Sequence, residues 1–347
     1  MKLWHRTAVL LVVAATTVLL PAGISQAAGH IHVEPNVTFA LPPATAGCTG
    51  ATALAGGGER LPITVSTVAG QVAELLNVCI EGKGPYPFVI DTGAGESIID
   101  AHLASTLGLA NHGQASEFAG VGCTGHAQPV LVPSWSMVGV PLAAQTLTAA
   151  TLPDFGTKGE PVGLLGSDVL SRYGAVRIDF SAQTLTLGGP EGPVAQPTVV
   201  HGPRGSAPSA VLTEGQKGTT IPLTVVMDPG QTSLNVRLTL GRGRSRFFVV
   251  DTGSSQSVVA SAIAKQSQLA HTDLAQRQDT VCSVITAPLV RSGPWSIPGV
   301  TLRPQLLGET NFGSISADGT AGLLGSDQLK HFGWVIFDYR GGRLVLG

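Results

Sequence analysis

Apolar and polar residues alternate with a period of two along much of the chain. Residues 233–240 (Ser-Leu-Asn-Val-Arg-Leu-Thr-Leu) are the clearest case and predict a half-buried strand. Gly241-Arg242-Gly243-Arg244 then reads as a turn, and residues 247–250 form a continuous apolar run suited to a strand buried on both faces. Helix candidates are few. One follows each Gly-Ser-Asp tripeptide, over 169–173 and 328–332, and another is predicted over 100–107 and 261–269. Many glycines among Val, Thr and Leu, with short strands and frequent turns, predict an all-β protein with one or two short helices per unit.

This pattern occurs twice. Leu61-Pro62-Ile63-Thr64-Val65 returns as Ile221-Pro222-Leu223-Thr224-Val225, and Phe88-Val89-Ile90-Asp91-Thr92-Gly93 returns as Phe248-Val249-Val250-Asp251-Thr252-Gly253, both 160 positions later. Gly163-Leu164-Leu165-Gly166-Ser167-Asp168 returns intact as Gly322-Leu323-Leu324-Gly325-Ser326-Asp327, 159 positions later. Residues 174–180 likewise match 333–339. A drift of one residue over a whole unit indicates a duplication with almost no insertion. Two copies are too few for a solenoid, so two lobes related by a pseudo-two-fold axis are expected. The lobes are placed at 59–188 and 219–347. Residues 189–218, rich in Gly, Pro and Ser, read as an exposed linker, and 29–58 read as loop-like.

Composition narrows the function classes. Only 12% of the 347 residues are charged and 43% are hydrophobic, so disorder driven by charge is excluded. A formal net charge of −2 argues against a nucleic-acid partner with a basic footprint. Lys2, His5 and Arg6, an apolar run over 8–20 and the small residues Ser25, Ala27 and Ala28 have the form of a secretory signal over residues 1–28. It could also be retained as an anchor, but the run is short for a membrane span. The expected location is therefore secreted or in the cell envelope, with no stable membrane span once the signal is removed. Cys48, Cys79, Cys123 and Cys282 fit an oxidising compartment and allow three pairings.

The chemistry concentrates at Asp91-Thr92-Gly93 and Asp251-Thr252-Gly253. A buried strand ending in this tripeptide puts a carboxyl at a tight turn whose amides are free to bond it. One Asp-Thr-Gly is weak evidence. Two at equivalent places in two copies are strong, because a two-fold axis brings the acids together. Two adjacent carboxyls share a proton, which suits hydrolysis: one takes a proton from water while the other hydrogen-bonds the scissile carbonyl.

With these motifs the chain resembles the aspartic proteases of the pepsin and retropepsin group. The resemblance rests on apolar-apolar-Asp-Thr-Gly followed by Ala94 or Ser254, on the later Leu164-Leu165-Gly166 and Leu323-Leu324-Gly325, and on the short helix and strand after each. The compact units look closer to bacterial retropepsin-like domains than to pepsin itself. The resemblance implies a bilobal acid-protease fold, a polypeptide substrate, no cofactor and no metal, and a chain acting as a monomer. It assigns catalysis to Asp91 and Asp251, loop support to Thr92, Gly93, Ala94, Thr252, Gly253 and Ser254, and a bracing role to Leu165, Gly166, Leu324 and Gly325. It implies mobile flap hairpins: Gly120, Gly122 and Cys123 mark a flap in the first unit, and Cys282 the corresponding place in the second, where glycine is missing. By analogy with pepsin, the Ser254 hydroxyl is expected to bond the outer oxygen of Asp251 and make it the more readily ionised acid. Asp168 and Asp327 read as helix caps competing with Ser167 and Ser326. Trp135 and Trp295, 160 positions apart, read as core residues. A bridge between Cys123 and Cys282 at the flap tips, with Cys48–Cys79 as companion, is one reading. Unpaired or differently paired cysteines are the other. The alternative to an endopeptidase is a catalytically silent peptide-binding or cell-envelope protein on the same fold.

Overall fold

The computed structural model describes residues 32–33, 47–54, 57–68, 70–152, 161–188, 198–202, 218–228, 230–313 and 319–347. The signal segment and most of 189–218 lie outside the described residues. The molecule is all-β and bilobal, with four short α-helices among the described residues.

Each unit is built around one long hairpin. Gln71–Ile80, buried along its whole length, pairs antiparallel with Lys83–Asp91 in the first unit. Gln231–Leu240 pairs antiparallel with Arg246–Asp251 in the second. The alternation read over 233–240 appears as buried positions alternating with half-buried or exposed ones. The apolar ends of Lys83–Asp91 and Arg246–Asp251 are covered on both faces, as continuous apolar runs require.

The strand carrying each acid pairs in parallel with the Gly-Leu-Leu-Gly strand. Leu164, Leu165 and Gly166 stand opposite Val89, Ile90 and Asp91. Leu323, Leu324 and Gly325 stand opposite Val249, Val250 and Asp251. The predicted helices form as Ala101–Leu107, Ser167–Leu170, Ser261–Gln266 and Ser326–Leu329, the second and fourth continuing as short 3-10 turns.

A shared sheet joins the lobes. Ala175–Asp179 lies antiparallel to Trp334–Asp338, with Val176 opposite Phe337 and Ile178 opposite Val335. Thr184–Leu187 and Glu59–Pro62 extend it on one side, Arg343–Leu346 and Thr219–Pro222 on the other. The pseudo-two-fold axis passes between the two central strands. Arg177 stacks over the Trp334 ring at 4.5 Å and pairs with Asp179 at 2.8 Å, so the seam is polar as well as apolar. Trp135 and Trp295 are both buried, each indole N–H donating to a backbone carbonyl eight residues on.

Two stretches differ from their sequence reading. Within 29–58, read as loop-like, His32–Val33 and Thr52–Ala53 form short strands on Leu274-Ala275 and Glu59-Arg60. Thr198–His201, inside the segment read as linker, forms a strand on Thr224–Met227. Its Val199 is 56% exposed. A short β-branched run is enough to add an edge strand where backbone groups are unpaired, even without a buried side chain.

Candidate active site

Lys83–Asp91 and Arg246–Asp251 end where the lobes meet, and Asp91 and Asp251 are both 0% exposed. Asp91 Oδ1 accepts the Gly93 and Ala94 amides at 3.0 and 2.8 Å. Asp251 Oδ1 accepts the Ser254 amide at 3.0 Å. Each acid lies against the other loop. A Cβ added at Gly93 would overlap the Asp251 carboxyl, and one at Gly253 would overlap that of Asp91. Glycine is therefore required at both positions for the carboxyls to come together.

The threonines lock the loops reciprocally. Thr92 Oγ1 donates to Val250 O at 2.8 Å and accepts the Thr252 amide at 3.1 Å. Thr252 Oγ1 donates to Ile90 O at 2.7 Å and accepts the Thr92 amide at 3.1 Å. Thr92→Val keeps the shape but leaves a buried N–H and C=O unpaired, at about 1–3 kcal/mol each. We expect it to lower the urea unfolding midpoint markedly, and an unchanged midpoint would contradict this account of the loop.

Gly166 and Gly325 sit too close to the Asp-bearing loops to admit a side chain. An added Cβ would lie 2.7 Å from the Glu96 carbonyl carbon at one and 2.7 Å from Ser254 O at the other. Their amides are held by hydroxyls: Ser97 Oγ accepts Gly166 N and Ser257 Oγ accepts Gly325 N, both at 2.9 Å. Those hydroxyls donate in turn to Asp168 Oδ1 at 2.6 Å and Asp327 Oδ1 at 2.7 Å. Gln145 and Gln305 bond the remaining carboxyl oxygens.

This corrects the helix-cap reading. The Ser167–Leu170 and Ser326–Leu329 helices start after Gly166 and Gly325 without any side-chain cap. Asp168 and Asp327 face the serines of the neighbouring loop instead. Ser167 and Ser326 donate to the carbonyls of Thr92 and Thr252 at 2.9 and 3.2 Å.

The expected Ser254 hydroxyl bond to Asp251 is also corrected. Ser254 Oγ donates to Gln256 O at 2.6 Å, and only the Ser254 amide reaches the carboxyl, much as the Ala94 amide reaches Asp91. The loop turns the hydroxyl towards a closer backbone acceptor. Burial lifts Asp251 to about 6, opposed by bonds from Asp91 and the loop amides. Burial and the charge on Asp251 hold Asp91 well above the usual carboxylate range. The pair thus holds one shared proton near neutral pH.

Glu74 was not singled out from the sequence. It is fully buried in the Gln71–Ile80 strand, and its Oε2 accepts Ser326 Oγ at 2.8 Å. Burial pushes it up to about 8, with the Asp251 charge adding to the shift. Leu234 holds the equivalent place in the other unit. The sequence shows a single acid in the largely apolar run 71–80, but not that both faces of this strand are sealed.

Both flap hairpins are present. Ser116–Gly120 and Cys123–Val132 turn at Val121-Gly122, with Gly122 at φ +75°. Ala270–Asp279 and Val284–Arg291 turn without glycine, because Thr280 closes the loop: its amide and hydroxyl donate to Ser283 O at 2.7 and 2.8 Å. A Cβ on Gly120 would come within 2.6 Å of the Val281 side chain, so this glycine lets the second tip pass. Of the three possible pairings the structure has Cys123–Cys282, joining the two tips, and Cys48–Cys79.

Residues 76–169, spanning the first Asp-Thr-Gly, its hairpin and its Gly-Leu-Leu-Gly strand, match the family model of the aspartyl proteases. The resemblance read from the sequence therefore stands, and this segment supports a peptidase. No curated protein matches the chain. Among solved structures, basic 7S globulin from soybean is similar at 13% identity over 84% of this chain and 95% of that one, with a TM-score of 0.41. An aspartic proteinase from Irpex lacteus is similar at 13% identity over 84% and 97%, with a TM-score of 0.42.

Proposed function

We propose that the protein is a secreted aspartic endopeptidase in which Asp91 and Asp251 activate water against a peptide bond. The observation that carries this reading is the reciprocal packing of the two loops, each glycine against the opposite carboxyl, which leaves two buried acids sharing one proton. In this reading Asp251, ionised, takes a proton from the attacking water. Asp91, protonated, donates a hydrogen bond to the scissile carbonyl oxygen and stabilises the charge that develops there. No covalent intermediate on the enzyme forms. Thr92, Thr252, Gly166 and Gly325 hold the geometry.

Residues 59–188 and 219–347 serve as the two lobes and 1–28 as an export signal. Two disulfides suit an oxidising compartment. No helix among the described residues is long and apolar enough to cross a membrane. The test is calorimetric binding of a statine-type transition-state mimic to protein whose hairpins are open. Tight binding that is lost in Asp251→Asn is expected. Absence of binding would leave a scaffold without an assembled dyad.

A further inference from the structure

The two hairpin tips are exchanged between the lobes. Val121, at the tip from the first unit, is 0% exposed and packs among Val249, Val258, Phe312 and Leu323 of the second. Val281, at the tip from the second, is 1% exposed and packs among Val89, Ala94, Ile98 and Leu164 of the first. These contacts are symmetric: Val89 matches Val249, Ile98 matches Val258 and Leu164 matches Leu323 in the repeat. Each tip therefore covers the apolar side of the other lobe's Asp-Thr-Gly region, with Ala94 in the same cluster as Val281. The Cys123–Cys282 bond ties the tips together next to both valines. The result is a dyad with no exposure at all.

This closed arrangement has opposing costs. Both ends of the Gln278 amide on the second hairpin are buried without a hydrogen-bond partner among the described residues. Burying two valines and leaving the Gln278 amide unpaired are effects of similar size, so a covalent tie decides the balance.

We infer that Cys123–Cys282 is a redox latch that keeps the dyad sealed until a dithiol reductant opens it. Cys123 and Cys282 are both half-buried residues rather than core positions, and the latch requires a small thiolate to reach them. Attack on Cys282 Sγ forms a mixed disulfide and releases Cys123 as a thiolate. Thr280 Oγ1, 3.0 Å from Cys123 Sγ, can turn its proton from Ser283 O to that thiolate. The reductant's second thiol then displaces Cys282. The reductant leaves as its own disulfide, and each cysteine ends with one proton. Freed tips swing out and admit an extended chain. Only the purpose of opening rests on the peptidase reading. The latch itself does not.

The test is hydrogen exchange over residues 118–125 and 280–285 in oxidised wild type, dithiothreitol-treated wild type, C123S/C282S and C48S/C79S, with binding of a statine-type mimic measured in parallel. Exchange at both tips is expected to rise at least about tenfold in C123S/C282S and on reduction, and to stay slow in oxidised C48S/C79S. Mimic binding is expected only in the open forms. Tips as protected in C123S/C282S as in oxidised wild type, or equal mimic binding by oxidised wild type, would overturn the latch. Fast exchange without mimic binding would uphold the latch and remove the peptidase reading.

Discussion

Asp91→Asn and Asp251→Asn, each made in the C123S/C282S background, are expected to lower kcat/KM for peptide cleavage by about 10³–10⁴-fold, the upper range for loss of general acid–base catalysis. Asparagine keeps an oxygen for the loop amides that now reach Oδ1. It cannot accept the water proton as Asp251 does in the proposed reaction, nor supply the shared proton from Asp91. Asparagine is neutral and nearly isosteric at both positions, so neither variant should unfold, and KM should change far less than kcat. The acid limb of the parent's rate profile should lie below pH 6. Burial lifts Asp251 to about 6 in the closed chain, and water admitted by open hairpins relieves that burial. A variant that unfolds, or one that retains most of its rate, would contradict these roles.

The second large effect is on stability. Glu74, Asp91, Asp168, Asp251 and Asp327 are all buried and all raised, with burial the leading cause in each. A raised acid stays protonated in the fold while its unfolded counterpart ionises. Its contribution is full below the unfolded value and is lost as pH rises towards the folded one. For Glu74 the window runs from 4.5 to about 8. At roughly 1.4 kcal/mol per pH unit this is about 5 kcal/mol from one residue. Asp327, lifted from 3.8 to about 6, acts in the same direction. Urea midpoints should therefore fall steadily between pH 4 and pH 8. Glu74→Gln, which keeps an acceptor for Ser326 and cannot ionise, should flatten much of the slope and be more stable than wild type at pH 8. A midpoint that stays flat would show that these acids are solvated, and one that rises with pH that the fold favours their charged forms.

Most of the architecture was legible because the chain repeats itself. Matching tripeptides fixed the pairing of Asp91 with Asp251 and of Gly166 with Gly325, and the alternation over 233–240 marked its strand directly. The local polar wiring was harder to read. The cap assignment for Asp168 and Asp327 used only their distance from a helix start. Ser97 and Ser257, and likewise Gln145 and Gln305, stand 160 positions apart and would have pointed to the true partners. Ser254 misled because a hydroxyl beside a carboxyl has two acceptors within reach, and loop geometry decides between them. Glu74 was hidden because a strand assignment does not say which face is sealed. Val121 and Val281 also recur at the same offset. Their exchange between lobes depends on how the lobes dock, which local pattern does not encode.

The most direct measurement is cleavage of a denatured protein mixture from pH 3 to 8 by C123S/C282S protein, beside the same protein carrying Asp251→Asn. Cleavage by the first and none by the second is the expected result, and it would join the dyad to the reaction. Protein that is open by hydrogen exchange yet inert across the whole range would contradict the peptidase and leave a binding protein on this scaffold.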